Sequence, residues 1–313
     1  MVRAPLASAG TGKDVPPSPR RKVDGILLLD KPLGITSNRA LQIARHLYRA
    51  DKAGHTGSLD PLATGLLPVC FGEATKIAGY LLGSRKTYLA ECRLGVTTDT
   101  DDAEGAILRE RAVPAWDAQA IRKQLAALSG RVIQIPPVYS ALKQQGVALY
   151  KRARRGETVT PPPREVDVHR FELLERLHGD GLRLYVECGS GTYVRSLVRD
   201  LGEALGCGAH LIALRRLEIE PFSAPRMFTL QELKSLCAEG LDALDACLLP
   251  LEAGLAGWPI LPVDEADRAA LAHGRRIGSD AAPGRYRVDG PDGRVLALVE
   301  ADGHEVKVIR GFA

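Results

Sequence analysis

Apolar and polar positions change period several times along this chain, and each change marks an element. GILLLDKPLGITS opens on an unbroken apolar run, which predicts a short buried strand ending in a turn built from Lys31, Pro32 and Gly34. Ser37 or Asn38 then caps a helix expected to run through Arg49, with Leu41, Ala44 and Leu47 along one face. LLPVCFG predicts a second strand, and a short helix follows from about Glu73 to Leu82. In KTYLAECRLG the period falls to two, so Tyr88, Ala90, Cys92 and Leu94 share one face of a strand. Asp117 begins an amphipathic helix carrying Ile121, Leu125 and Leu128, which Gly130 stops.

The second half alternates in the same way. RVIQIPPVYSALKQQGVALYKRARRGETVTPPPRE leaves a strand at a Pro-Pro pair and crosses a basic, Tyr-dotted stretch to three consecutive prolines, so it reads as an arm rather than core. LRLYVEC is a strand, and GSGTYVRSLVRDLGEALG is a turn into a helix with Val194, Leu197, Val198, Leu201 and Leu205 facing inward. HLIALRRLEIEPF returns as a strand, so strands are expected near 25, 65, 86, 131, 182 and 210. The proline-rich WPILP segment near residue 250 suggests a boundary, after which short strands separated by PG, DG and DG turns predict a small β-rich module. No internal repeat runs at a fixed period.

Length and charge narrow the picture. At 313 residues the chain can bury one large domain or two unequal ones. Its net charge of +4 sits entirely in residues 1 to 23, where Arg3, Lys13, Arg20, Arg21 and Lys22 face only Asp14. That segment is rich in Pro, Ser and Gly and reads as a disordered basic tail. The remainder is neutral, so any anion-binding surface in the folded part must be a local patch. The candidate is 143 to 170, where Lys143, Lys151, Arg152, Arg154, Arg155, Arg164 and Arg170 outnumber Glu157, Glu165 and Asp167. The six cysteines form no CxxC pair, which argues against zinc and against a disulfide framework and predicts buried free thiols in a reducing cytosol. Neither a signal peptide nor a membrane span is expected.

The richest candidate for chemistry is GHTGSLDPLATG, residues 54 to 65. Its three glycines permit positive φ or close backbone approach, and Asp60 before Pro61 is biased toward extended backbone that projects the side chain from a rigid turn. Composition alone favours an ordinary Asp-Pro turn, with His55 an ordinary loop histidine. The GxxxxGK[ST] spacing of a phosphate loop is absent, as are HExxH, GxSxG and a GxGxxG opening a helix. The acidic run TTDTDDAEG misses the calcium-loop spacing and reads as a polar loop.

Six segments taken in order carry a resemblance. GILLLDKPLGITS, KAGHTGSLDPLATGLLPVCFGEATK, KTYLAECRLGVTTDTDDAEG, IPPVYSALKQQGVALYKRARRG, CGSGTYVRSLVRDLG and AHLIALRRLEIEPF together resemble the tRNA pseudouridine synthase B (TruB) family over about residues 24 to 224. The resemblance implies an α+β pseudouridine synthase fold with a central, mainly antiparallel mixed sheet and flanking helices over 24–250. It also implies a thumb-like RNA-binding insertion at about 136–164 and a small PUA-like module over 251–313. The implied activity is isomerisation of the uridine at position 55 of the tRNA T-arm, a rearrangement that needs no cofactor, no metal and no second carboxylate.

Carried over by position, Asp60 is implied as the catalytic aspartate, attacking C1′ of the ribose or stabilising its developing charge. Arg195 is implied as its ion-pair partner. Tyr88 is implied as the base-stacking residue and a candidate proton acceptor, Tyr193 as a second active-site tyrosine, Leu214 as an apolar wall and His55 as the residue that fills the gap left by a flipped nucleotide. Lys143, Arg152, Arg154 and Arg155 are implied to hold phosphates, with tRNA the sole partner, a monomeric state and a cytoplasmic location. Two other readings stay open: a tRNA folding chaperone that acts by binding alone, and a guide-RNA-dependent synthase of the box H/ACA type.

Overall fold

The computed structural model describes residues 19–140, 142–144 and 146–312. It begins with β1 (Gly25–Lys31), α1 (Ser37–Leu47), β2 (Ala53–His55), β3 (Ala63–Phe71), α2 (Ala78–Leu82) and β4 (Lys86–Leu94). The small hairpin β5 (Val96–Thr98) and β6 (Ile107–Glu110) follows, then α3 (Ala118–Ala127) and β7 (Gly130–Gln134). Among the described residues the expected thumb carries a short hairpin, β8 (Lys143–Gln144) and β9 (Val147–Ala148), and a helix, α4 (Leu149–Ala153). The chain returns through β10 (Arg164–Leu177), β11 (Gly181–Cys188), α5 (Val194–Ala204), β12 (Ala209–Ile219), β13 (Phe228–Thr229), α6 (Leu230–Glu239) and α7 (Leu241–Asp245). A helix α8 (Glu265–Ala272) and strands β14 (Ile277–Gly278), β15 (Gly284–Asp289), β16 (Val295–Ala301) and β17 (Glu305–Gly311) complete it.

One mixed sheet organises the molecule, in the order β13-β1-β3-β12-β4-β11-β10-β7, with β2 paired to β3. Only β1 with β13 and β3 with β12 run parallel; the other pairings are antiparallel, as the α+β reading requires. Alternation sorts β1 cleanly: Leu27 and Leu29 pack with α1 and α6, whereas Ile26 and Leu28 pack toward α2 and the C-terminal module. Tyr88, Ala90, Cys92 and Leu94 do share one face, in a core with Leu197, Val198 and Leu201 of α5. The second sheet, β14-β17-β16-β15, has its own core around Val288, Val299 and Val306. Its Val295 and Leu298 also pack into the cluster of Ile26, Leu66 and Ile77, so the C-terminal module is fused to the main sheet through shared apolar surface.

Several expectations are corrected. The first helix ends at Leu47 because Arg49 adopts φ +52, and its N-cap is Thr36, whose hydroxyl accepts from the Arg39 N–H at 3.1 Å. Ser37 is instead tied to Leu59, accepting from its N–H at 2.7 Å and donating to its carbonyl at 3.0 Å. The helix expected over 73–82 splits into a 3₁₀ turn, Gly72–Lys76, and α2. The basic tail lies outside the described residues up to 18, but its end is folded: Val23 is buried, and Arg21 makes a two-pronged ion pair with Asp245 at 2.6 and 2.7 Å. The longest strand, β10, begins at the Arg164 that the reading placed in a basic arm, so the arm ends one residue before it. Five cysteines are buried and Cys237 partly so, all unpaired; burial pushes the Cys70 and Cys92 thiols up to about 12.

The glycines of residues 54 to 65 differ in function. Gly65 sits at φ +96 in the parallel pairing of β3 with β12, and a Cβ there would lie 2.2 Å from the Arg216 carbonyl oxygen. Gly54 has ordinary φ and open space. Gly65→Ala is expected to cost about 2–6 kcal/mol, combining roughly 1–3 each for backbone strain and overpacking, whereas Gly54→Ala stays within about 0.5 kcal/mol. The shift in urea midpoint at constant slope measures both; equal midpoints for the two variants would contradict the packing argument.

Candidate active site

Residues 56–62 form the loop between β2 and β3, and its two ends are held from outside. Leu59 is anchored to Ser37, and the Pro61 carbonyl accepts from Gly34 N–H at 2.9 Å. Lys31 is fully buried, with its ammonium 2.6 Å from the Ile35 carbonyl, 2.9 Å from that of Pro32 and 3.5 Å from that of Pro61. Burial lowers its pKa to about 8 against the upward pull of Asp60 and Glu104. The expected turn residue is therefore a strut beneath the Asp60 loop, a role that an apolar strand followed by a lysine did not reveal.

Asp60 reaches across to Arg195, with Oδ2 2.9 Å from Nη2. Arg195 stands in the first turn of α5 and is 4% exposed, so its charge must be compensated locally. Asp102 supplies a second carboxylate at 3.3 Å, and the carbonyls of Thr100 at 2.9 Å and Tyr139 at 3.0 Å accept from the same guanidinium. Asp102 is itself 3% exposed and held by the Thr100 hydroxyl at 2.5 Å and the Glu104 N–H at 3.1 Å. The neighbouring Asp101 pairs with Arg199 at 2.9 Å. TTDTDDAEG is the polar loop its spacing suggested, with Asp99 and Glu104 exposed, and it supplies Arg195 with one buried counter-charge, Asp102; among the described residues no His/Cys/Asp/Glu cluster could hold a metal.

Asp60 keeps 43% of its side-chain surface exposed and lines an open cleft of about 350 Å³. Tyr88, Tyr193, Leu214, Arg164, Arg195 and Arg216 share the cleft wall. Enclosure by protein pushes the Asp60 carboxyl above its usual range; Arg195 pulls it back down, and Asp102 adds to the rise. Tyr88, 7% exposed on β4, lies against the buried Arg216; burial raises its phenol to about 12 despite that cation. At neutral pH Tyr88 is therefore an uncharged ring. Arg216, 1% exposed, donates to the Leu66 carbonyl at 2.7 Å and the Gly57 carbonyl at 3.2 Å, which ties β12 to both sides of the Asp60 loop.

Tyr193 forms the N-cap of α5, and Leu214 of β12 is paired with Ala63 on one side and Ala90 on the other. Asp60, Tyr88, Arg195, Tyr193 and Leu214 thus line one cleft. His55 lies at the end of β2, outside the cleft lining, with Nδ1 buried and unpartnered; burial and Arg216 hold its imidazole below the usual range. The basic residues lie on or just after the short hairpin and helix of the thumb, with Arg152, Arg154 and Arg155 outside the cleft lining. Arg152 is paired with Glu157 at 2.6 Å and bonds Gln144 at 2.9 Å, Arg155 is exposed in the turn after α4, Arg154 is exposed nearby, and Lys143 lies in β8. Lys31, Asp102 and Arg216 were missed. Lys31 and Arg216 are cations in otherwise largely apolar strands, the signal that could have singled them out, whereas Asp102 stands among other polar residues and carried no such local signal.

A second cavity of about 430 Å³ lies at the end of α1, lined by Arg20, Arg45, His46 and Arg49 among others, with neither carboxylate nor phenol. The carboxylate and the phenols lie in the smaller cleft, which is therefore the candidate site.

Comparison with known proteins agrees with this geometry. Residues 45–194 match the TruB family pseudouridylate synthase N-terminal domain, residues 195–256 the tRNA pseudouridylate synthase B C-terminal domain, and residues 258–313 the tRNA pseudouridine synthase II C-terminal domain. The tRNA pseudouridine synthase B of Xanthomonas euvesicatoria pv. vesicatoria (strain 85-10) is 58% identical over 287 residues, 90% of this chain and 92% of that one. The protein of the same description from Pseudomonas fluorescens (strain Pf0-1) is 51% identical over 284 residues, with the same coverage. Among solved structures, a Cbf5-Nop10-Gar1 complex superposes with a TM-score of 0.73 at 25% identity, over 92% of this chain and 85% of that one. The chain belongs to the TruB family of pseudouridylate synthases.

Proposed function

We propose that this protein isomerises uridine 55 in the T-arm of tRNA to pseudouridine, acting on the RNA without a guide or a protein partner. The observation that carries the reading is Asp60, presented at the mouth of a cleft and held at 2.9 Å by a buried arginine that has its own second carboxylate. The relatives described as tRNA pseudouridine synthase B span nearly the whole chain, which favours a tRNA substrate over a guide-dependent one.

The target base must leave its stack to reach Asp60, at a cost of a few kcal/mol that stacking on the neutral ring of Tyr88 offsets by ~1–3 kcal/mol. Asp60 attacks C1′, or stabilises the cation that forms there, as the C1′–N1 bond breaks with its electron pair going to the uracil; the uracil turns, C5 bonds to C1′ as the carboxylate is released, and the proton lost from C5 is balanced by one gained at N1. Arg195 fixes the carboxylate's direction, and Leu214 closes the apolar side of the site. His55 occupies the place of the extruded nucleotide, while Lys143, Arg152, Arg154 and Arg155 meet phosphates of the T-arm and residues 251–313 add an RNA-binding surface.

Asp60→Asn is expected to bind a T-arm transcript as the wild type does while losing more than roughly 10³-fold in single-turnover rate. The same transcript with no other component tests independence, and no product from wild-type protein would point to a guide or partner. Asp102→Asn is expected to lower that rate by about 10–100-fold with unchanged RNA affinity, because Arg195 loses one of the two charges that fix its position. Rates equal to wild type would show that Asp60 alone orients the arginine. Because the Asp60 pKa lies above the usual aspartate range and the ionised form is the active one, turnover should fall on acidification with a midpoint above ~3.9. A single-turnover pH profile flat to that value would contradict the assignment.

A further inference from the structure

The strand that leaves for the thumb and the strand that returns from it both hold Tyr193. Gln134 ends β7 and Arg164 begins β10, and the two are register partners. Gln134, 1% exposed, clasps the Tyr193 backbone: its Oε1 accepts from Tyr193 N–H at 2.8 Å and its Nε2 donates to the Tyr193 carbonyl at 3.1 Å. Arg164 covers the ring, with its guanidinium carbon 4.8 Å from the ring centroid. The backbone of Gly191 lies beneath the same guanidinium, 3.5 Å from it to the position a Cβ would take.

Arg164 also differs from the other cations of the cleft wall. Arg195 is taken by Asp60 and Asp102, and Arg216 and Lys86 donate to backbone carbonyls. Arg164 makes no ion pair or hydrogen bond to a described residue, and its Nε is enclosed without a partner. The acids beside it on β10 are already engaged, Glu165 by Arg131 at 2.9 Å and Asp167 by the same residue at 3.6 Å. A guanidinium lying over a tyrosine ring can keep its terminal N–H donors free, and those donors fit the two oxygens of a phosphodiester.

We propose that Arg164 is a substrate-positioning residue whose guanidinium holds the Tyr193 ring and takes a phosphate bordering the extruded uridine. The inference rests on the pseudouridine synthase reading and adds to it the contact that sets the depth of the flipped nucleotide. Asp60 attacks one carbon, so a nucleotide seated by base stacking alone can turn about its backbone; a bidentate phosphate contact on the facing wall removes that freedom. Both strands that root the thumb end on Tyr193, so RNA gripped by the thumb and the nucleotide in the cleft are registered against one residue.

The test uses full-length wild type, Arg164→Gln and Arg164→Lys, with synthetic T-arm hairpins that are unmodified or carry one methylphosphonate 5′ or 3′ of the target uridine. Wild-type conversion of the unmodified hairpin establishes the underlying activity independently of Arg164. On that hairpin Arg164→Gln is expected to lose about 10–100-fold in single-turnover efficiency, the span of a lost hydrogen-bonded charge contact, with Arg164→Lys between the two. One of the two methylphosphonates should lower wild-type efficiency by a similar factor and leave Arg164→Gln unchanged. Full efficiency in Arg164→Gln would overturn the proposal. So would a rate loss in that variant with undiminished sensitivity to both methylphosphonates, the result expected if Arg164 only supports Tyr193. Matched melting curves confirm that the variants are folded.

Discussion

A guanidinium out of water is the constraint around which this active site is assembled. Arg195 is 4% exposed, and leaving such a charge without partners costs several kcal/mol. Its partners come from three segments apart from α5, which carries the arginine itself: Asp60 after β2, Thr100 and Asp102 in the loop after β5, and Tyr139 at the root of the thumb. None of these can settle alone. The same bonds that relieve the buried charge therefore set the direction of the Asp60 carboxylate, which makes part of the stability of the fold inseparable from its chemistry. Asp102 matters because of this division: with one carboxylate committed to the arginine, Asp60 could turn toward the ribose of the proposed substrate without leaving the guanidinium bare.

Two further buried cations work on the backbone instead. Lys31 and Arg216 point at carbonyls on the Asp60 loop and its flanks, with Lys31 at Pro61 and Arg216 at Gly57 and Leu66. A loop has few packing contacts of its own, and charge-assisted bonds from rigid strands replace them. Gly65 lets β3 and β12 approach closely enough for Arg216 to reach. The site is thus precise because it is supported from the sheet below.

Much of this was legible along the chain. Strands expected near 25, 65, 86, 131, 182 and 210 start at 25, 63, 86, 130, 181 and 209, because their apolar periods reflect real sheet faces. Asp117 is the N-cap of its helix as read, accepting from the Ala120 N–H at 2.6 Å. The failures have physical causes. β10 was hidden because its residues alternate between the core and solvent-facing charges that pair on the strand, as Arg170 does with Glu172 at 2.8 Å, so a charged strand looked like a basic arm. Asp102 was hidden because burial of an acid depends on an arginine 93 positions away, which no local window contains. Asp60, Tyr88 and Arg195 became readable only through a family resemblance, since their proximity is a property of the sheet order.

The raised affinity of Asp60 for a proton and its exposure to the cleft belong to one design. With 43% of the side chain in water, the carboxylate of the free protein is partly solvated, and the nearby guanidinium keeps the charged form accessible. In the proposed reaction, RNA seated over the cleft would displace that water, which penalises the bare carboxylate and at the same time strengthens its attraction to a cationic carbon. The uncharged ring of Tyr88 in the same cleft adds no competing charge. One carboxylate would suffice for that proposed step, because it returns the base to the same sugar and requires no water to be activated.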